Sequence, residues 1–342
     1  MTARPHRADR SLLRPLAVLF IAGALAGCNF FESPDEPDDP ARIERTAIVT
    51  GAFEAPGGAR ELAFLPDESA PGNGMLAAAG LQGGLSIFNM DGRELISASG
   101  PRLRGLAGIG GFPLRGETLP LVFGMDENGA LRGYAVVRAI DEVIELPLEG
   151  DLPGGSSLCL YGLGIGYIDL AILADGDEAR IVRLSDGGGQ GLSVRQRESR
   201  ALPFPARSCA RAGSDLLVAG PTAGIARVDE RGETRASSDR LPGSSIAYSE
   251  LLGRPAALMV SPESGLMDVL DARSLELITR VRFEAGLGAP GFDSPSALAL
   301  TDENFGGGAF SNGVAAAYDR ADGRIKLIAR EVITRTTLAE DS

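Results

Sequence analysis

The sequence predicts an all-β chain built as a six-bladed β-propeller. Three observations lead there. From about residue 45 onward no long segment carries apolar residues at helical spacing; short aliphatic runs are broken by Gly, Pro, Asp and Asn; and one short word recurs six times. The word is a glycine, then alternating or continuous apolar residues, then an acidic or glycine turn, as in Gly84-Leu85-Ser86-Ile87-Phe88-Asn89-Met90-Asp91-Gly92. Its copies start at 84, 129, 178, 224, 265 and 313, at intervals of 45, 49, 46, 41 and 48 residues. About four short strands fit each interval, and a repeat of roughly 40–50 residues is the period of propeller blades. No blade buries both faces alone, so neighbours must close a ring. A pair of β-sandwiches is the competing arrangement, and six copies at near-constant interval disfavour it.

The N-terminus reads as an address. Arg4, Arg7, Arg10 and Arg14 precede an apolar run from Leu16 to Leu25, too short to span a bilayer but suited to a signal-peptide core. The run ends in Leu25-Ala26-Gly27-Cys28, which resembles the bacterial lipobox, so residues 1–27 are expected to be removed and Cys28 lipidated. Acyl chains on Cys28 would hold the chain at a membrane without a transmembrane helix. By resemblance to lipoprotein sorting patterns, Asn29 at the next position favours the outer membrane of a diderm bacterium. Residues 28–44 then form a tether, because Glu32-Ser33-Pro34-Asp35-Glu36-Pro37-Asp38-Asp39-Pro40 offers almost nothing to bury. The propeller is expected over 45–335, with a tail at 336–342.

Composition removes several function classes. Of 342 residues, 44% are hydrophobic, 23% charged and 5% aromatic, which suits a globular domain. Asp and Glu number 46 against 33 Lys and Arg, with no basic tract, so no nucleic-acid partner is expected. Cleavage before Cys28 removes four arginines and one aspartate and takes the net charge from −13 to −16. The single histidine, His6, lies in the segment to be removed. Ser-His-Asp and Cys-His catalysis and His-ligated zinc therefore lack their imidazole.

Cys159 and Cys209 are the two cysteines left after lipidation, in a chain expected to be exported. Their separation of 50 residues is about one blade, so a disulfide between equivalent strands of neighbouring blades is expected, with two buried thiols as the alternative. Other signals read as structure. Asp126-Glu127, Asp175-Asp177-Glu178 and Asp302-Glu303 could ligate calcium, but each sits among turn-forming residues and is expected in a solvated turn. Asp186-Gly187-Gly188-Gly189-Gln190-Gly191 lacks the Lys-Ser/Thr of a phosphate loop, and Gly162-Leu163-Gly164-Ile165-Gly166 lacks a dinucleotide-binding context. Tyr161, Tyr248 and Tyr318 are expected at blade-equivalent core positions.

The repeats also carry a resemblance. Gly83-Gly84-Leu85-Ser86-Ile87-Phe88-Asn89-Met90-Asp91-Gly92-Arg93-Glu94-Leu95 is similar to the stretch Gly-Gly-Leu-x-Val-Tyr-Asp-Leu-Asp-Gly-Lys-Glu-Leu of the β-propeller phytases. Gly111-Phe112-Pro113-Leu114, Leu158-Cys159-Leu160-Tyr161, Cys209 and Gly224-Ile225 resemble further words of that family in the same order. The resemblance covers about residues 50–330 and implies a six-bladed propeller. In the family, clustered carboxylates hold calcium ions that neutralise the phosphates of myo-inositol hexakisphosphate and activate water.

Here the words stand without their acids. The family's Asp-Ala-Ala-Asp-Asp-Pro falls on Gly57-Gly58-Ala59-Arg60-Glu61-Leu62, and its Arg-x-Asn-Asn-Val-Asp-x-Arg on Arg102-Leu103-Arg104-Gly105-Leu106-Ala107-Gly108-Ile109. Arg207 replaces a glutamate, Ala219-Gly220-Pro221-Thr222 replaces an acidic loop, and Ser294-Pro295-Ser296-Ala297-Leu298 replaces Thr-Asp-Gly-Ile-Asp. A family Glu-Gly-Leu likewise becomes Ser244-Ser245-Ile246. Glu61 and Asp293 stand within a residue or two of family acids. The expectation is thus a lipid-anchored, non-catalytic binding or scaffold propeller for a periplasmic or surface partner, with no assigned catalytic or metal residues. The alternative is a divergent calcium-dependent phytase acting on phytate. An outer-membrane assembly propeller fits less well, since the tryptophan-rich and quinone-enzyme repeat words are missing.

Overall fold

The computed structural model describes residues 44–189, 191–239, 245–286 and 288–338. Among these, the short aliphatic runs pair into six small sheets. Each is an antiparallel meander that begins at an innermost strand and steps outward, over residues 61–98, 104–146, 157–201, 208–238, 245–284 and 295–329. The sixth meander has only three strands of its own. Its fourth is Gly51–Glu54, which pairs antiparallel with Arg324–Ala329, so an N-terminal strand closes the ring without a covalent link. Glu44–Ile48 adds a parallel fifth strand to blade 5 through Leu277–Glu284, and Leu148–Gly150 adds one to blade 3. The six-bladed propeller expected from the repeats is the observed fold.

Five of the six words lie on the third strand of their blade. At two of them glycine is required because the chain turns sharply against the fourth strand: Gly84 and Gly224 take φ of 85° and 87°, and a β-carbon there would lie 2.5 and 1.9 Å from the carbonyl oxygens of Ala98 and Ser238. The sixth copy lies one strand earlier in its blade than the repeat predicts. Gly313 precedes Val314–Asp319, the second strand of blade 6, and the equivalent third strand is Arg324–Ala329. The cause is an insertion: the first hairpin of blade 6 spans 302–313 and holds the helical turn Gly307–Phe310, which displaces the blade's later strands along the sequence.

The closing helix Arg330–Leu338 was also unforeseen, and it takes in the start of the expected tail at 336. It buries Ile333 among Val281 and Phe283 of blade 5, and its carbonyls at Thr336 and Thr337 accept from the Arg45 guanidinium at 2.9 and 3.2 Å. The helix thereby clamps the strand Glu44–Ile48 against the rim.

A second repeat, absent from the sequence reading, sits on the innermost strands. Glu61-Leu62-Ala63, Gly105-Leu106-Ala107, Ser157-Leu158-Cys159, Ser208-Cys209-Ala210, Ser245-Ile246-Ala247 and Ala297-Leu298-Ala299 occupy matching places. Because strand side chains alternate, the middle residue turns back onto the preceding blade: Leu62, Leu158, Ile246 and Leu298 join the apolar cluster there. The third residue faces the following blade, where converging strands leave room for little more than a methyl group. Cys159 replaces one of those alanines and bonds Cys209 of blade 4, with Cα atoms 5.7 Å apart. The disulfide therefore ties two adjacent innermost strands.

The seam between blades 5 and 6 is held by a buried ion pair. Lys326, the chain's single lysine, is fully buried, with Nζ 2.6 Å from Asp319 Oδ2 and 3.0 Å from Asp322 Oδ2. It also donates to the Gly291 carbonyl. Burial opposes charge on Asp319, but Lys326 and the N–H groups of Asp293, Ser294 and Ala321 outweigh it and hold the carboxyl below its usual range. One carboxylate thus fixes both the incoming linker and its own hairpin.

Removing one partner of such a pair strands the other charge in the interior. Lys326→Met should lower unfolding free energy by about 3–5 kcal/mol in chemical denaturation. Because the Asp319 pKa is depressed, the wild-type stabilisation is present above about pH 4 and lost as pH falls below that. The Cys159→Ala/Cys209→Ala variant should lose about 4 kcal/mol on the chain-entropy estimate, and reductant should destabilise the wild type but not the variant.

Candidate functional site: the axial channel

Each innermost strand pairs on one side only, so its other edge turns backbone N–H and C=O groups toward the axis. The six edges surround a cavity of about 1080 Å³. The cavity has two ends. The innermost strands begin at what we term the proximal face and end at the distal face.

Near the proximal face, first-position side chains cross to the next blade. Ser208 Oγ accepts the Ile246 N–H at 3.1 Å. Ser245 Oγ accepts the Leu298 N–H at 3.2 Å and donates to the Leu298 carbonyl at 3.3 Å. Blade 1 carries Glu61 at this position, and its carboxylate accepts the N–H of Gly105. Burial pushes the Glu61 carboxyl up to about 7, against the opposing pull of the Gly105 amide and of Arg60. The neighbouring Arg60 buries an Nε with no hydrogen-bond partner. This acid, flagged from its place beside a family motif, therefore lines the channel. Asp293 does not: it lies in the linker held by Asp319.

Toward the distal face the wall carries Tyr161, Arg211 and Tyr248. Tyr161 Oη donates to the Ser214 carbonyl at 2.8 Å and accepts from Arg200 Nη2 at 2.6 Å. Arg200 is itself buried and paired with Glu198 at 2.5 Å. Two guanidinium groups lie near the Tyr161 ring, Arg200 at 4.9 Å and Arg211 at 5.5 Å from its centroid. Arg211 Nε donates to the Gly213 carbonyl at 2.6 Å, which fixes its planar head at the channel wall. Of the three tyrosines expected as equivalent core residues, only Tyr318 is core, on a second strand; Tyr161 and Tyr248 occupy the channel wall.

The acids singled out from sequence are dispersed. Asp126 does sit in a turn, yet it is buried rather than solvated. Its Oδ1 accepts the N–H groups of Asn128 and Ala130 at 2.9 Å, and Oδ2 pairs with Arg132 at 2.9 Å. Burial opposes its charge, but those donors hold the carboxyl below its ordinary range. Glu178 pairs with Arg180 at 2.8 Å, and Asp302 at the channel wall with Arg330 at 2.9 Å. The same use recurs along the blades, with Asp169–Arg183 at 2.7 Å, Asp215–Arg227 at 2.6 Å and Asp268–Arg280 at 3.1 Å. Among the described residues, no three His, Cys, Asp or Glu side chains converge as a metal would need. Gly162 and Gly164 punctuate the end of the first strand of blade 3, with Gly166 in the turn that follows, and Asp186–Gly191 leads through a hairpin connection of the same blade, with Gln190 outside the described residues. Cys28 also lies outside them.

No family model matches this sequence, and no curated protein does so. Among solved structures, the crystal structure of BBS1N in complex with ARL6DN, soaked with mercury, is similar over 74% of this chain and 73% of that chain. The sequence identity is 14% and the TM-score 0.44.

The Glu61 shift predicts a pH dependence with a definite sign. Below about pH 4.5 the group is protonated in both states. Between there and about 7 the unfolded chain releases the proton while the fold retains it, so stability falls as pH rises and the cost is complete above 7. Glu61→Gln should remove this slope, leaving the variant more stable than wild type at pH 8 by no more than about 3 kcal/mol. Urea unfolding at pH 4.5 and 8 checks it.

Proposed function

We propose that this protein is a lipid-anchored recognition module of the cell envelope, a phytase-like propeller whose carboxylates serve the fold and not a metal cluster. The observation that carries the reading is the use made of the acids: Asp126, Asp169, Asp215, Asp268, Asp302 and Asp319 are each matched by a cationic side chain. Calcium sites of high affinity need several carboxylate oxygens free to converge on one ion. What the axis offers instead is a polar backbone wall with Tyr161, Tyr248 and Arg211, groups that stack on and hydrogen-bond a planar polar partner group, beside wall acids that include Glu61, Asp67 and Asp302. In this reading Cys28 supplies the anchor and residues 29–43 the tether, probing the periplasm or the cell surface from the outer membrane of a diderm bacterium.

Two measurements test it. Cys28→Ser should move the protein from the membrane fraction to the soluble fraction of the envelope; unchanged membrane association would remove the anchor. Phosphate release from phytate should be no faster with millimolar calcium than with chelator, and calcium should leave the melting temperature unmoved. Calcium-dependent turnover would make the protein a hydrolase and end the recognition reading.

A further inference from the structure

The large apolar side chains left in water are unevenly placed. Four are more than half exposed: Ile165 at 103%, Leu252 at 79%, Ile140 at 56% and Leu163 at 52%. Leu163 lies at the end of the first strand of blade 3 and Ile165 in the connection that follows it, while Leu252 lies in the same connection in blade 5. Ile140 lies between the third and fourth strands of blade 2. First and third strands both run toward the distal face, so all four crown it. Among the described residues the remaining exposed large apolar side chains, Ile48, Ile144 and Leu152, are less exposed and lie on outer strands or toward the proximal side.

Nothing in folding asks for these residues. Leu252 takes φ of 49° before Gly253 at 76°, the primed-turn geometry in which Asn, Asp or Gly would be easier. A leucine there is doubly unfavourable, strained in backbone and exposed to water, which points to selection for a contact outside the chain.

The path of the chain says what that contact is. Glu44–Ile48 runs parallel to Leu277–Glu284, a fourth strand, and so travels from distal toward proximal, with Glu44 opposite Arg280 and Ile48 opposite Glu284. The described chain therefore begins, at Glu44, nearer the distal face than Ile48. From Cys28 to Glu44 the tether can span at most about 55 Å fully extended.

We infer that the distal face is a membrane-docking surface, its apolar hairpin tips entering the lipid interface that holds the N-terminal anchor. This rests on the lipid-anchor reading above. The charges beside the tips are mixed: Arg115, Arg138 and Arg254 alternate with Glu117, Asp141 and Glu250. Contact is thus driven by apolar burial rather than by attraction to anionic lipid, with the arginine stems able to lie along the interface.

The chain contains no tryptophan, so a single introduced one reports its own surroundings. Full-length Ile165→Trp, Leu252→Trp and, as a proximal control, Leu152→Trp proteins would be reconstituted in phosphatidylcholine vesicles with brominated acyl chains. The mass of the N-terminal peptide would establish acylation of Cys28. In acylated protein, emission at 165 and 252 should be blue-shifted and strongly quenched by bromine, insensitive to salt, with 152 unaffected. Equal quenching at all three sites, or none, overturns the proposal. A blue shift without quenching means that protein, a second copy included, covers the tips, and overturns it too. If Cys28 is not acylated the anchor reading fails by itself; quenching confined to 165 and 252 would still support the lipid surface, and its absence would overturn it. Ile165 has an ordinary backbone, so this variant decides the matter should Leu252→Trp fold poorly. Leu252→Asn should raise the melting temperature while weakening vesicle association.

Discussion

Six sheets that converge on one axis leave little room for side chains between adjacent innermost strands around the open channel, and that crowding governs the rest of the molecule. It restricts the third residue of each inner-strand word to alanine or half of a disulfide, and at Ser208 and Ser245 the first residue is a hydroxyl that hydrogen-bonds the next blade. Where a carboxylate stands at that position, at Glu61, the cost is a carboxyl group pressed toward its neutral form. The ring also needs a closure, and borrowing Gly51–Glu54 for the sixth blade makes early and late parts of the chain form one cooperative unit.

Electrostatics then operates locally. A strongly acidic chain would repel itself if its carboxylates faced one another, but across the blades they face arginines on adjacent strands. Exposed pairs of this sort contribute little each. Their larger effect is on what the surface can bind, since a carboxylate already held by a guanidinium and by turn amides is poorly placed to ligate a cation. The channel wall, by contrast, keeps the Arg211 head braced beside Tyr161 by a carbonyl and a buried Arg200.

Most of the architecture was legible because propeller blades repeat a turn chemistry that glycine makes visible. The third-strand words at Gly84 and Gly224 mark places where any β-carbon would strike a carbonyl oxygen, so their recurrence is forced. The period is lost where an insertion breaks it, at Gly313, and the helix Arg330–Leu338 is hidden because its single deeply buried apolar residue, Ile333, leaves little helical periodicity. The channel was harder to see. Its lining is backbone edge and small side chains, and the triplets ending in Ala63, Ala107, Ala210, Ala247 and Ala299 carry too little chemical contrast to stand out among other alanines. Asp126 was assigned to a turn correctly, but sequence did not reveal that Arg132 would fold over it.

The fully buried Lys326 has a practical corollary. With every other basic side chain in the described propeller an arginine, the folded surface presents no lysine amine to acylating reagents or to the enzymes that tag lysines. Accessibility of that one nitrogen becomes a native gauge of whether the sixth blade is shut, and an adduct on it would record a molecule whose ring had opened.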